Sequence, residues 1–154
     1  MLRSALIGAI AGARSMTPLA AVSVAAARDT LPADNGAPAL LGRPLVEAGA
    51  LAMAAGELAG DKWAKAPDRI VASGMAARLV TGAVAGAALA PRERRTTAAL
   101  VGAAAAVASS YLTFAARVRA MRRYGQVKTG LVEDALVIGG TWWVVNRMGQ
   151  RRVT

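Results

Sequence analysis

Cysteine and histidine are both absent from this chain of 154 residues. Their absence excludes disulfide bonds, thiolate nucleophiles, catalysis by a Ser-His or Cys-His pair, and zinc sites built from the usual ligands. A metal site would have to use oxygen ligands, which favours hard cations, and no spacing identifies a particular metal. We therefore expect no enzymatic activity and no cofactor.

Aromatic residues make up only 4% of the chain, too few for the base-stacking surfaces of nucleic-acid-binding proteins. Acidic residues are also scarce, 9 against 19 Lys and Arg, which gives a net charge of +10. The basic residues gather at the ends of apolar stretches, as they do beside membrane helices. We therefore expect no nucleic-acid partner, and expect anionic lipid headgroups to contact the basic run of Arg117, Arg119, Arg122 and Arg123.

Apolar residues are abundant, at 55% of the chain. The uncharged stretch 96–116 is long enough for a transmembrane helix and has Arg residues on both sides. Four more apolar segments carry charges or are short: residues 4–27, 44–60, 70–90 and 131–145. Together they predict one integral-membrane domain, an all-α polytopic bundle of four or five transmembrane helices whose charges face the bundle interior or a water-filled cavity.

Two alternatives stay open. One is a soluble, alanine-rich helical bundle, although soluble helices carry a charged face at a period of 3.6 residues and these segments mostly do not. The other reads the first segment as a signal peptide, with Arg3 ahead of an apolar core that Arg14 interrupts.

Small residues four apart recur along the chain. Gly8 and Gly12 are echoed by Gly82 and Gly86 in a second apolar segment. The same spacing links Gly56 to Gly60, and residues 98, 102, 106 and 110 form a small-residue stripe on the uncharged stretch. Such spacing predicts close helix packing in lipid. The echo also suggests an internal repeat, inverted as in many small transporters, and so small a bundle predicts a homo-oligomer.

Six charged residues in or beside the apolar segments form the candidate substrate- or ion-binding site: Glu57, Asp61, Arg14, Arg78, Glu133 and Asp134. Glu57 and Asp61 stand at i and i+4, so one helix face presents both. Arg14 and Arg78 need acidic partners, because charges inside membrane segments are costly, and the candidates are Glu47, Glu57, Glu133 and Asp134. The acids at 133 and 134 are expected at the start of the last helix, where they would complement its dipole.

These observations favour a small transporter or channel for an ion or solute, with the charged cluster as its site. The alternative is a non-transporting membrane protein that binds lipid or a protein partner and uses the same charges as structural ion pairs.

Two stretches carry a resemblance: residues 12–18 (Gly-Ala-Arg-Ser-Met-Thr-Pro) and 57–62 (Glu-Leu-Ala-Gly-Asp-Lys), the latter followed by 67–69 (Pro-Asp-Arg). With Arg78 and the acids at 133–134, they resemble a bacterial inner-membrane family catalogued as domain-of-unknown-function 4126, over nearly the whole chain. The resemblance implies a multi-pass inner-membrane location and no established activity.

The second stretch is also similar to the Glu-x-Gly-Asp-Lys motif of a cation-transporter family. It has one extra residue before Gly60, and Trp63 stands where that family has Thr or Ser. Calcium or manganese transport is therefore not carried over to this chain.

Overall fold

The computed structural model describes residues 1–60 and 72–147, and these residues form an all-α fold. Six α-helices lie in the described ranges: α1 (Leu2–Ala13), α2 (Met16–Ala27), α3 (Pro44–Gly60), α4 (Ala72–Ala88), α5 (Arg95–Tyr124) and α6 (Gln126–Trp142). Short 3-10 turns precede α3 and α5, at Ala39–Gly42 and Arg92–Arg94, and a π-helical turn, Trp143–Arg147, follows α6. The all-α class predicted from the sequence is confirmed.

Helix α5 contains the uncharged stretch that the sequence singled out. Together with the 3-10 turn before it, it gives a helical stretch of 33 residues, Arg92–Tyr124, and this is the one stretch within residues 1–60 and 72–147 that is long and apolar enough to cross a membrane. Only 28% of its apolar window is buried, whereas the core helix of a soluble protein is mostly buried. At about 1.5 Å per residue, residues 96–116 span about 30 Å, the thickness of a bilayer's hydrocarbon core.

The first apolar segment is a helical hairpin, so the prediction of a single helix over residues 4–27 is wrong. Helix α1 ends where Arg14 turns extended (φ −142°, ψ 113°), and α2 begins two residues later. Val22 packs in the same apolar cluster as Ile7, which requires α2 to run back alongside α1. Pro18 favours this break, because in a continuous helix its ring would clash with the carbonyl of Arg14, whereas the first turn of a new helix accepts it.

Helices α1, α4 and α5 pack with their backbones almost in contact. A Cβ added to Gly8 would lie 2.2 Å from the carbonyl oxygen of Gly102, and one added to Gly102 would lie 2.2 Å from that of Gly82. The close packing predicted for these small residues is confirmed. Gly56 and Gly60 behave differently, since a Cβ at either would meet nothing within 4 Å among the described residues. The predicted homo-oligomer stays a prediction.

The glycine contacts also give the helix directions. Along α1, Gly8 lies against Gly102 and the later Gly12 lies against Ser109, so contacts advance along α5. Along α4, Gly82 lies against Gly102 and the later Gly86 lies against Ala98, so contacts move back along α5. Helix α1 is therefore parallel to α5 and α4 is antiparallel to both, in agreement with the 3.0 Å hydrogen bond that Ser4 Oγ donates to the Gly86 carbonyl. The two echoing segments thus run in opposite directions on one face of α5, as an inverted repeat requires. The repeat itself stays a prediction.

Small residues lie inside this bundle and many large apolar residues lie outside. The buried residues of α5 are the predicted stripe, Ala98, Gly102, Ala106 and Ser110. By contrast Leu100, Leu112 and Leu136 are 67%, 71% and 70% exposed. The exposed surface of the bundle is therefore rich in large aliphatic side chains.

Candidate functional site

The tip of the α1–α2 hairpin carries a buried arginine that contacts two other helices. Arg14 is only 1% exposed, and its Nη2 forms a short ion pair with Asp134 Oδ1 on α6. Its Nη1 donates a 3.2 Å hydrogen bond to the backbone carbonyl of Glu57 on α3. One guanidinium therefore ties the hairpin tip to both α3 and α6.

The carboxylate of Glu57 binds the amino-terminal end of α2. Glu57 Oε1 accepts hydrogen bonds from Ser15 N at 2.9 Å and Ser15 Oγ at 3.0 Å, while Oε2 accepts one from Met16 N at 2.9 Å. The first N–H groups of a helix have no partner within it, and the helix dipole makes that end positive, so a carboxylate is stabilised there. The expected ion pair between the Glu57 carboxylate and Arg14 is replaced by this cap, because Arg14 reaches only the backbone oxygen of Glu57.

The two neighbouring acids of α6 bind arginines from two different helices. Helix α6 begins at Gln126, directly after Gly125 reverses the chain with φ 83°, so Glu133 and Asp134 lie well past its first turn. The predicted role in complementing the helix dipole is therefore wrong. Glu133 Oε2 instead accepts a 2.6 Å hydrogen bond from Arg117 Nη1 on α5.

Arg78 is 6% exposed on α4. Because α4 is antiparallel to α1, Arg78, one turn before Gly82, lies at the same end of the bundle as Arg14. Asp61 lies outside the described residues, so its predicted pairing with Glu57 is not described either. The structure thus joins Arg14, Glu57 and Asp134, and places Arg78 at their end of the bundle.

The hairpin tip lies inside the uncharged length of α5. Ser110 Oγ donates a 3.2 Å hydrogen bond to the Gly12 carbonyl at the end of α1. Ser110 precedes Arg117 by two helical turns, which is about 10 Å. The backbone at the end of α1 is therefore about 10 Å inside the basic end of that stretch.

Sequence reasoning missed Ser15 and assigned Arg117 to lipid headgroups. Ser15 supplies two of the three donors to Glu57, and no motif distinguishes it from other small polar residues in an alanine-rich segment. The Arg117 side chain is only 9% exposed in its pair with Glu133, whereas Arg119, Arg122 and Arg123 are exposed. Headgroup contact by those three stays a prediction.

Two further features bear on chemistry at the tip. Thr17 follows Met16 in the first turn of α2, and its buried hydroxyl has no hydrogen-bond partner within the described residues. Within residues 1–60 and 72–147, no three acidic side chains converge in a way that could hold a metal ion. Within the described residues, the tip therefore offers a helix amino terminus, an arginine and two carboxylates.

A groove runs between α5 and α6 along most of the length of α6. The two helices diverge from their connection at Gly125, and α1 forms the floor between them. The groove has a volume of about 980 Å³, and its lining is almost entirely apolar. Tyr124 and Lys128 lie at one end of the lining, and the paired Arg117 and Glu133 lie within it.

Comparison of the chain with protein-family models, with curated proteins and with solved structures gives no match. The resemblances noted in the sequence therefore stay predictions.

Proposed function

We propose that this chain is a multi-pass protein of the bacterial inner membrane. The large aliphatic side chains exposed on α5 and α6 support this, because lipid tails solvate such groups whereas water does not. Helices α3, α4 and α6 have 17 residues each, the lower limit for a transmembrane helix. Each 12-residue arm of the hairpin rises only about 18 Å, too short to cross about 30 Å of hydrocarbon. The hairpin would therefore be re-entrant.

Within that membrane domain, we propose that the hairpin tip is the site of a small transporter or channel for an ion or solute. The observation that carries this proposal is the burial of Arg14 with Asp134, beside a helix amino terminus and next to the contact of α1 with the uncharged stretch of α5. Buried charges beside such a stretch are costly and are retained mainly at functional sites. Broken helices whose amino termini face the substrate recur in secondary transporters.

The contacts at the tip suggest how a substrate would bind. A cation would compete with Arg14 for the carboxylate of Asp134, and with the donors of Ser15 and Met16 for the carboxylate of Glu57. An anion would compete with those carboxylates for Arg14 and for the N–H groups at Ser15 and Met16. The Glu57 carboxylate links the tip to α3, and the Asp134 carboxylate links it to α6. Displacement of either carboxylate by a substrate would therefore release the tip from that helix.

Proteoliposomes test the transport proposal. Flux or current is measured for a panel of inorganic ions, amino acids and carboxylates, with the wild type compared with Glu57→Gln, Asp61→Asn and Asp134→Asn. Glu93→Gln is the matched control, because Glu93 is an exposed acid before α5, at the opposite end of the bundle. We expect these three variants to lose flux and the control to keep it. A wild type that moves nothing across the panel refutes the proposal.

The second candidate is a membrane protein that does not transport and whose charges hold the helices together. It is favoured by the pairing itself, because the carboxylates of Glu57, Glu133 and Asp134 are all engaged by groups of the protein. The variant Arg14→Met with Asp134→Leu separates the two candidates. A structural role predicts that the variant keeps both folding and any physiological activity, whereas a transport role predicts that it folds and loses flux.

A further inference from the structure

We propose that the groove between α5 and α6 binds one anionic phospholipid, with an acyl chain along the groove and the phosphate beside Lys128 and Arg123. The inference rests on the proposed membrane location and is independent of transport at the hairpin tip.

The walls of the groove present an apolar surface to a ligand, although Ser and Thr residues contribute to them. Ser109 Oγ donates a 2.7 Å hydrogen bond to the Ala9 carbonyl across the floor. Thr113 Oγ1 and Thr129 Oγ1 each donate a 2.8 Å hydrogen bond to a backbone carbonyl of their own helix region. These donors are thus already satisfied by backbone oxygens, and the surface left for a ligand is made mainly of methyl and methylene groups.

The dimensions of the groove match a long chain better than a compact molecule. Its volume of about 980 Å³ lies at the upper end of the range of about 300–1,000 Å³ typical of ligand sites. Along α6 it extends from Lys128 to Val144, which is about 24 Å at about 1.5 Å per residue. One side of the groove is open, so a lipid would enter from the bilayer without any rearrangement of the helices.

The charge at the end of the groove selects the headgroup. Arg117 and Glu133 neutralise each other at 2.6 Å, which leaves the exposed Lys128 as the cation in the lining. Arg123 is also exposed and follows the lining residue Ala116 by seven positions, so it lies on the same face of α5. Arg123 and Lys128 both follow the uncharged stretch 96–116 in the sequence. In a membrane this would place them beside the lipid phosphates at the bilayer surface. A single Lys near anionic lipid is worth about fivefold in binding.

A second copy of the chain is the competing occupant, because an aliphatic groove would also accept a helix. The basic end argues against it. Within residues 1–60 and 72–147, the exposed charges around this end, including Arg119 and Arg122, are positive, and two copies would bring them together. A phospholipid brings the compensating negative charge and needs no partner helix.

Photo-crosslinking in vesicles tests the proposal. The full chain is reconstituted in phosphatidylcholine, alone or mixed with phosphatidylglycerol, each containing a trace of phosphatidylglycerol with a diazirine on its acyl chain. We expect the label on peptides of α5 and α6, with competition by unlabelled phosphatidylglycerol about fivefold stronger than by phosphatidylcholine. Ala120→Trp should fill the groove and reduce the label about tenfold, while Leu100→Trp, on the exposed face of α5 away from the groove, should leave it unchanged.

Lys128→Gln keeps the test decisive if Ala120→Trp does not fold, because Lys128 is exposed. It should reduce the preference for phosphatidylglycerol and leave the label on α5 and α6, and Lys128→Gln with Arg123→Gln should abolish the preference. An unchanged label in Ala120→Trp, an unchanged preference in Lys128→Gln, or crosslinks between two chains in the groove without lipid label would each overturn the proposal. Resistance of the chain to alkaline extraction from membranes is measured separately, so failure of the membrane location is distinguished from failure of lipid binding.

Discussion

Replacing Asp134 with asparagine should destabilise the fold strongly. The substitution removes the negative charge that faces Arg14, whose side chain is 1% exposed and cannot reach solvent. Breaking a buried ion pair by removing one partner costs about 3–5 kcal/mol, because the remaining charge stays buried and loses its attraction to that partner. Arg14 keeps its hydrogen bond to the Glu57 carbonyl at 3.2 Å, so we expect the lower end, about 3 kcal/mol.

Reversible unfolding by sodium dodecyl sulfate in mixed micelles, followed by circular dichroism, measures this loss. The double variant Arg14→Met with Asp134→Leu should recover most of the lost stability, since well-packed apolar residues replace a buried pair at little cost. Glu93→Gln is the control, because an exposed acid away from such features changes stability by no more than about 0.5 kcal/mol. The reasoning is refuted if Asp134→Asn costs less than about 1 kcal/mol, or if the double variant is as unstable as the single one.

The same unfolding assay tests the packing and the helix cap. Gly102→Ala places a Cβ 2.2 Å from the Gly82 carbonyl oxygen and should cost about 1–3 kcal/mol. Gly139→Ala, on α6 with nothing within 4 Å among the described residues, should instead stabilise by about 0.5–1 kcal/mol; equal effects at the two glycines would contradict the packing. Glu57→Gln keeps one acceptor for the end of α2 and should cost about 1 kcal/mol, and Glu57→Ala about 2 kcal/mol. A Gln variant as unstable as the Ala variant would mean that charge, rather than hydrogen bonding, makes the cap.

Features that depend on neighbouring residues could be predicted from the sequence. The length of α5 follows from an uncharged run between basic residues, and its buried stripe follows from small residues four apart. The reversal at Arg14 and Ser15 could not be predicted in this way. Pro18 indicates an interruption of the helix, but a proline at this position is compatible with both a kinked helix and a hairpin. The choice depends on Glu57, which contacts Arg14 across 43 positions of sequence and supplies the cap that α2 lacks.

The residues of the candidate site were predictable and their pairing was not. A charge within an apolar segment is visible in the sequence, so Arg14, Glu57 and Asp134 could all be identified. Their partners depend on where the helices begin. Helix α6 was expected to begin next to its two acids, and its start at Gln126 moves them past the first turn, where they face arginines of α1 and α5.

The ion pairs also explain how such a uniform sequence selects one register. Contacts between glycine and alanine stripes are similar after a shift of one helical turn, because small residues recur every four positions. A shift of about 5.4 Å along an axis would leave much of that packing in place. It would, however, separate Arg14 from Asp134 and Arg117 from Glu133, and a buried charge without its partner costs more than a displaced methyl group. The two ion pairs therefore fix the position of α6 along α1 and α5. Side-chain packing alone would not do so, because a groove separates α6 from α5.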